Sequence, residues 1–391
     1  MSRTEAAVDP ARTGASLPEP RVALVCPGLG RERRGYERIT ADLHTALGQQ
    51  GDITVFKGAG PRSRDQRVPW SLARDGWTLM HLPLHKLLGR TRYHVECLTF
   101  ALSLAWPLAR GHFDLVFTYD PPMLKLLWWL RRLTGARFRI LFAHGGAFPF
   151  GYWPHADVAL HCSPLSFDED IAAGTPREKF ALLPIGIWPE RFEVQASRAE
   201  LRRRHGVTES TLLMVAISAL DRSQKRVHHL IEEVADLPGE VLLWIDGSPN
   251  FAADLTLIDL AAERLGARCR LSYGSSERVG ELLAIADVMV LASVREGFGL
   301  AIVEAVCAGT PVLVHNSRHF DWLLGVPEMM VDMAEPGALR ARLADLLLNP
   351  DSLRRFVDKQ ALRHRYAWPQ LAPRYLDLFR RAARGESVRD L

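Results

Sequence analysis

The sequence is short of paired thiols. Its 391 residues hold five cysteines, Cys26, Cys97, Cys162, Cys269 and Cys307, an odd number with no C-x-x-C spacing. A disulfide framework or a structural zinc site needs a tighter pattern, so reduced thiols in the cytoplasm are expected. Long apolar runs are also lacking. Residues 1–20 are polar and rich in Pro and Ala, unlike a secretory signal, and are expected to form a disordered leader. The longest lipid-like run, Cys97–Ala109, is too short to cross a bilayer and contains Pro107. The dinucleotide fingerprint is missing too. Glycines 28, 30 and 35 give G-x-G-x4-G, and the strand expected at Ile53–Phe56 ends in Lys57 with no acid to hold an adenosine ribose. These features argue against NAD.

What remains is a globular chain, 48% apolar and 24% charged, long enough for two domains. Its charge is uneven. Residues 1–150 carry 21 Lys/Arg against 12 Asp/Glu, and the other 241 carry 28 against 33. A basic amino-terminal half suits an anionic partner or surface, with an arginine-rich solvated exterior as an equal alternative. Residues 61–132 interleave arginines with Trp70, Trp77, Trp106, Trp128 and Trp129. Basic tryptophan-bearing helices can lie on membranes, but such tryptophans are more often core, which ranks peripheral membrane contact second.

The chain is organised around Arg295–Pro311. The β-branched run Val288–Ala292 reads as a buried parallel strand leading into Glu296, and Gly297 and Gly299 permit a tight turn. A helix should follow and end at Gly309 and Pro311. Within 297–309 the one charge is Glu304, which should face a polar partner or a cleft. The amides of Gly297, Phe298, Gly299 and Leu300 then form an anion site at the carboxyl end of a strand.

Glu296 and Glu304, set in Glu-Gly-Phe-Gly-Leu…Glu-Ala…Gly-Thr-Pro-Val, resemble the paired-glutamate motif of family-4 retaining glycosyltransferases, which have the two-Rossmann-domain GT-B fold. The resemblance implies that Glu296 contacts the donor sugar, Glu304 the nucleotide ribose, and the amides between them the diphosphate. It extends over residues 21–385. Gly28, Gly30 and Gly35 resemble the acceptor-side loop, and His144, after a first-domain strand, the histidine that faces the sugar. Lys225 stands at the family's phosphate-gripping lysine, and Gly274 where the nucleotide base lies. The family's arginine is replaced by Ala219-Leu220, with Arg222 the nearest substitute.

Independently of the family, alternating apolar strands and amphipathic helices argue an α/β fold with parallel sheets. The expected division is an acceptor domain over 21–195, a nucleotide-sugar domain over 200–368, and a terminal helix over 369–391 crossing back to the first domain. The expected activity is retaining transfer of a sugar from a nucleotide-diphosphate sugar to a glycan, lipid-linked or small-molecule acceptor. Same-face attack is expected, with the leaving phosphate as base. No cofactor, metal or nucleic acid is expected. An epimerase or phosphorylase on the same fold, or a non-catalytic nucleotide-sugar-binding protein, stays open beside it.

Overall fold

A computed structural model describes residues 18–32, 35–81, 90–147, 153–247, 254–272 and 276–391. Most of the expected leader and Gly274 lie outside these residues. The first half builds one parallel sheet from β1 (Val22–Cys26), β2 (Ile53–Lys57), β3 (Gln66–Arg67), β4 (Leu115–Thr118), β5 (Arg139–His144), β6 (Val158–His161) and β7 (Phe180–Leu182). Their order is β3-β2-β1-β4-β5-β6-β7. The second half repeats the plan with β8 (Leu212–Ile217), β9 (Val241–Asp246), β10 (Cys269–Ser272), β11 (Val288–Val290), β12 (Val312–His315) and β13 (Met330–Val331). These are ordered β10-β9-β8-β11-β12-β13.

The central strands are buried along their whole length, as Val-Ala-Leu-Val-Cys of β1 and Val-Leu-Leu-Trp-Ile-Asp of β9 show. Helices cover both faces of a doubly wound sheet, so such strands read as unbroken apolar runs. In each sheet the order reverses beside the first strand, between β1 and β4 and between β8 and β11. That switch point, at the carboxyl ends of the strands, opens a crevice for ligands.

The chain returns to its first half at the end. Ile187 N donates to Tyr366 O at 2.8 Å and Trp368 N to Ile187 O at 3.0 Å. The helix Trp368–Arg384 then packs along the helix Gly35–Leu47, with Phe379 against Phe117 of β4 at 5.5 Å between ring centroids. Tyr375 donates from its hydroxyl to Pro184 O at 3.0 Å. One apolar cluster therefore runs through both domains, from Leu24 and Leu43 through Tyr375 to Val303 and Leu323. Gly186 lies under the indole of Trp368, where a Cβ would sit 2.4 Å from the ring.

Candidate active site at the interdomain cleft

The second sheet's switch point brings two distant loops together because β8 and β11 are neighbours. The loop after β8 is fixed by Asp221, whose carboxylate accepts from Gln224 N at 2.5 Å and Lys225 N at 3.0 Å. Burial works to raise the Asp221 carboxyl, but these bonds outweigh it and hold the group below its usual range. Lys225 is thereby aimed across the crevice, with Nζ 2.7 Å from Glu296 Oε1. Gln224 Nε2 adds a longer contact of 3.4 Å to the other carboxylate oxygen. Glu296 is buried, and Lys225 retains a quarter of its side-chain exposure.

Beyond Glu296 the chain turns at Gly299, in the left-handed region at φ 89°, into the helix Leu300–Ala308. Gly297 is pressed against the first domain, since a Cβ there would come 1.9 Å from Gly145 O. Gly145 in turn lies under Tyr36, whose ring would meet a Cβ at 2.6 Å. Glu304, one turn into the helix, is buried and faces Arg38 of the first domain, with Nη1 2.7 Å from Oε1. At that distance the two groups form an ion pair across the domains. Burial pushes the Glu304 carboxyl above its ordinary value while Arg38 pulls it back. Leu300 lies 3.9 Å from where a Cβ on Gly35 would stand, so the acceptor-side loop and the donor motif meet.

Gly28 and Gly30 shape the turn after β1. A Cβ on Gly28 would strike the carboxylate of Glu37 at 2.2 Å, and Gly30 has a φ of 87° beside Ala59 O. His144 is the last residue of β5 and is buried. Its ring stands edge-on to that of His161, 5.5 Å away, and the ligand atoms of His144, His161 and Asp170 lie within 4.8 Å of one another. Among the described residues this is the group of His, Cys, Asp and Glu whose ligand atoms lie close enough together to hold a metal ion. The triplet Asp168-Glu169-Asp170 has the Asp-x-Asp spacing of many divalent-ion sites, but its carboxylates part company. Asp168 meets Arg318, Glu169 takes both Arg295 nitrogens at 2.9–3.0 Å, and Asp170 faces His161 at 3.6 Å.

Arg222 points elsewhere. Its Nε is 2.5 Å from Asp254 and its Nη2 is 3.1 Å from Thr256 Oγ1, and 43% of the side chain is exposed. The groups that span the domains carry no local sequence signal. Arg295 Nε donates to Ala147 O at 3.0 Å, while Arg191, still on the first-domain side of the boundary, grips Asp42 with two bonds of 2.6 and 2.9 Å. His319 bridges Ser163 Oγ and Phe298 O, both at 3.1 Å, and the Cys162 thiol reaches Gly297 O at 3.6 Å.

Residues 197–363 match the family described as glycosyl transferases group 1. Among curated proteins, the chain is 29% identical over 211 residues to the lipopolysaccharide glucosyltransferase WaaG of Escherichia coli, covering 52% of this chain and 53% of that one. It is 32% identical over 128 residues to N-acetyl-alpha-D-glucosaminyl L-malate synthase of Bacillus anthracis, covering 32% of each. The matched part thus spans about half the length of these relatives or less. Solved structures agree in fold over nearly the whole chain. Sucrose-phosphate synthase from Thermosynechococcus elongatus superposes with a TM-score of 0.75 at 18% identity, covering 93% of this chain and 98% of that one. Anabaena HepE, solved in complex with UDP-glucose, does so with 0.72 at 15%, covering 92% and 99%. The two-domain architecture is the GT-B fold.

Proposed function

We propose that this chain, whose residues 197–363 match the group 1 glycosyltransferases, transfers a sugar from a nucleotide-diphosphate sugar to an acceptor hydroxyl with retention at the anomeric carbon. The observation that carries this reading is the arrangement of Glu296 and Glu304 around one helix N-terminus. Both carboxylates are buried, each faces a cation, and Lys225 stands 2.7 Å from the first. A nucleoside diphosphate sugar has matching groups in the same sequence: ribose hydroxyls, two phosphates, then sugar hydroxyls.

In this reading Glu304 accepts hydrogen bonds from the ribose and exchanges Arg38 for them. The diphosphate lies against the amides that begin the helix Leu300–Ala308, where the helix dipole favours anions. Lys225 follows the phosphate as it leaves, so positive potential is in place where negative charge grows. Glu296 orients the sugar from the donor side, and His144, at the end of β5, from the acceptor side. The acceptor enters past Gly28 and Gly30 and attacks on the face the phosphate leaves, which takes its proton. Protein groups meet the phosphate charge here, so no metal is invoked. The acceptor is a glycan, a lipid-linked sugar or a small molecule.

The test is a thermal-shift screen of nucleotide-diphosphate sugars followed by a turnover assay with the ligand that stabilises. A specific donor at a hundredfold over its dissociation constant adds about 2.7 kcal/mol to stability. No stabilisation by any donor would end the reading. Isomerisation of the donor, in place of transfer or hydrolysis, would replace it with an epimerase.

A further inference from the structure

We propose that the first domain docks on an anionic lipid bilayer surface through the outward face of the helix Arg92–Arg110 and the adjoining stretch from Trp70 to Met80. The helix is 19 residues long, about 28 Å at 1.5 Å per residue. Its inner face is ordinary core: Val95, Cys97, Phe100, Leu104 and Leu108 are all buried. The outer face is apolar too. Leu98, Leu102 and Trp106, at successive four-residue steps, line one side, with Leu102 67% and Trp106 64% exposed. Trp70, held beside the helix, extends this surface, and Trp77 and Met80 further along the same stretch are exposed as well. The first part of the stretch is tied to the helix, because Ser103 Oγ donates to Trp70 O at 2.6 Å and Leu72 N to Thr99 Oγ1 at 3.0 Å. Every exposed tryptophan among the described residues lies between 70 and 129, whereas the second domain's exposed large apolar residues are scattered and aliphatic. Contiguous exposure of this kind marks an interaction site.

Charge selects the occupant. Residues 61–110 carry eight Lys/Arg and three Asp/Glu. The helix's one acid, Glu96, faces inward, fully buried between Arg31 and Arg74. Arg110 lays its guanidinium over the Trp106 ring at 3.6 Å. Arg62 and Arg67 line a shallow groove with Ser103 and Pro107, beside the apolar stripe. Among the described residues Arg62, Arg64, Arg67 and Arg110 form no ion pair, while Asp65 is engaged by Ser63 and His44. A face that alternates tryptophan and arginine and presents little acid suits the headgroup layer, where indoles sit at the boundary and arginines meet anionic lipid. A second copy would set these arginines against one another. Glu96 also joins the docking helix to Arg31, on the turn that carries Gly28 and Gly30, so a docked bilayer lies near the acceptor side of the cleft. The docking itself needs no donor and no turnover.

The test is sedimentation of the full chain with vesicles of phosphatidylglycerol mixed into phosphatidylcholine, and with phosphatidylcholine alone. The chain should partition onto the anionic vesicles at least about tenfold more strongly, with the difference collapsing in high salt. Tryptophan emission should shift to the blue on binding. Leu102→Ser with Trp106→Ser, and separately Arg62→Glu with Arg67→Glu, should each lower partitioning about tenfold or more. Neither should change donor stabilisation, so failure here leaves the transferase reading standing. Leu348→Ser, at an exposed leucine of the second domain, should bind as the unaltered chain does. Absence of binding to anionic vesicles, equal binding to both compositions, or indifference to both pairs of substitutions would overturn the proposal. So would concentration-dependent self-association that Leu102→Ser abolishes, which would make a second copy the occupant.

Discussion

Replacing Lys225 with alanine should separate two roles that its geometry joins. Lys225 Nζ is 2.7 Å from Glu296, a buried carboxylate that Gln224 also approaches at 3.4 Å. Breaking a fully buried ion pair by removing one partner costs about 3–5 kcal/mol. Lys225 is a quarter exposed, so water enters with the truncation and about 1–3 kcal/mol is the reasonable loss. For a domain of this size that lowers the melting temperature by about 3–10 °C. Turnover should fall much further, by about 10²–10³-fold, the scale set by deleting one preorganised stabiliser of developing charge. Donor affinity should change less, because the lysine's contribution grows as the phosphate departs. The double variant Lys225→Ala with Glu296→Gln removes the stranded charge, so it should recover melting temperature without recovering kcat. Calorimetry, melting curves and donor turnover, read as hydrolysis or transfer, supply the three numbers. A folded, donor-saturated Lys225→Ala protein that turns over within about fivefold of the unaltered chain would refute the assignment. Arg222→Ala is the control. Its guanidinium is committed to Asp254 and Thr256 at the surface, and turnover should stay within about threefold.

Glu304→Gln should weaken binding of the free nucleoside diphosphate and the intact donor alike, by about 1–3 kcal/mol, as measured by calorimetry on a folded variant. Burial raises the Glu304 carboxyl in the folded protein, so its contribution to stability is fully present below pH 4.5 and is lost as pH rises through the raised value. The glutamine variant should lack that decline. His161 has the opposite sign. Burial first, then the neighbouring His144, lower it from 6.5 to about 3, so the unfolded chain takes up its proton first. Stability should therefore fall between pH 6.5 and about 3, by roughly 5 kcal/mol in full at about 1.4 kcal/mol per pH unit. His161→Phe should flatten this acid limb, and an unchanged limb in urea melts would show that other groups govern it.

The strands that position the site were legible because a doubly wound sheet buries its strands on both faces, so Val22–Cys26 and Leu212–Ile217 announce themselves as apolar runs. The two-residue edge strands Gln66–Arg67 and Met330–Val331 were not, since two residues have no period. His144 was expected just past a strand and instead closes β5, where pairing with His161 of β6 extends the ladder. Glu304 was legible as a buried charge in need of a partner, but Arg38 was not legible as that partner. On its own helix Arg38 has the spacing of a solvated arginine beside Asp42, and only the docking of the domains directs it to Glu304. The same holds for Arg295 with Glu169.

The basic character of the first half could be weighed in the sequence but not placed. Once the domains are docked, the arginines divide by destination. Arg38 crosses to a second-domain carboxylate, Arg31 and Arg74 converge on Glu96, and Arg131 answers Asp157. These are internal debts of the fold and contribute little field outside it, because each is met by an acid at contact distance. Part of what is left over meets apolar surface: Arg110 covers the exposed indole of Trp106, and Arg62 and Arg67 line a groove with Ser103 and Pro107 of the same helix. An arginine-rich exterior that served only solubility would scatter its excess and keep it away from bare tryptophan. Here unpaired charge and exposed apolar surface adjoin along the helix Arg92–Arg110 and the segment beside it, and a single kind of partner, apolar within and anionic at its boundary, satisfies both.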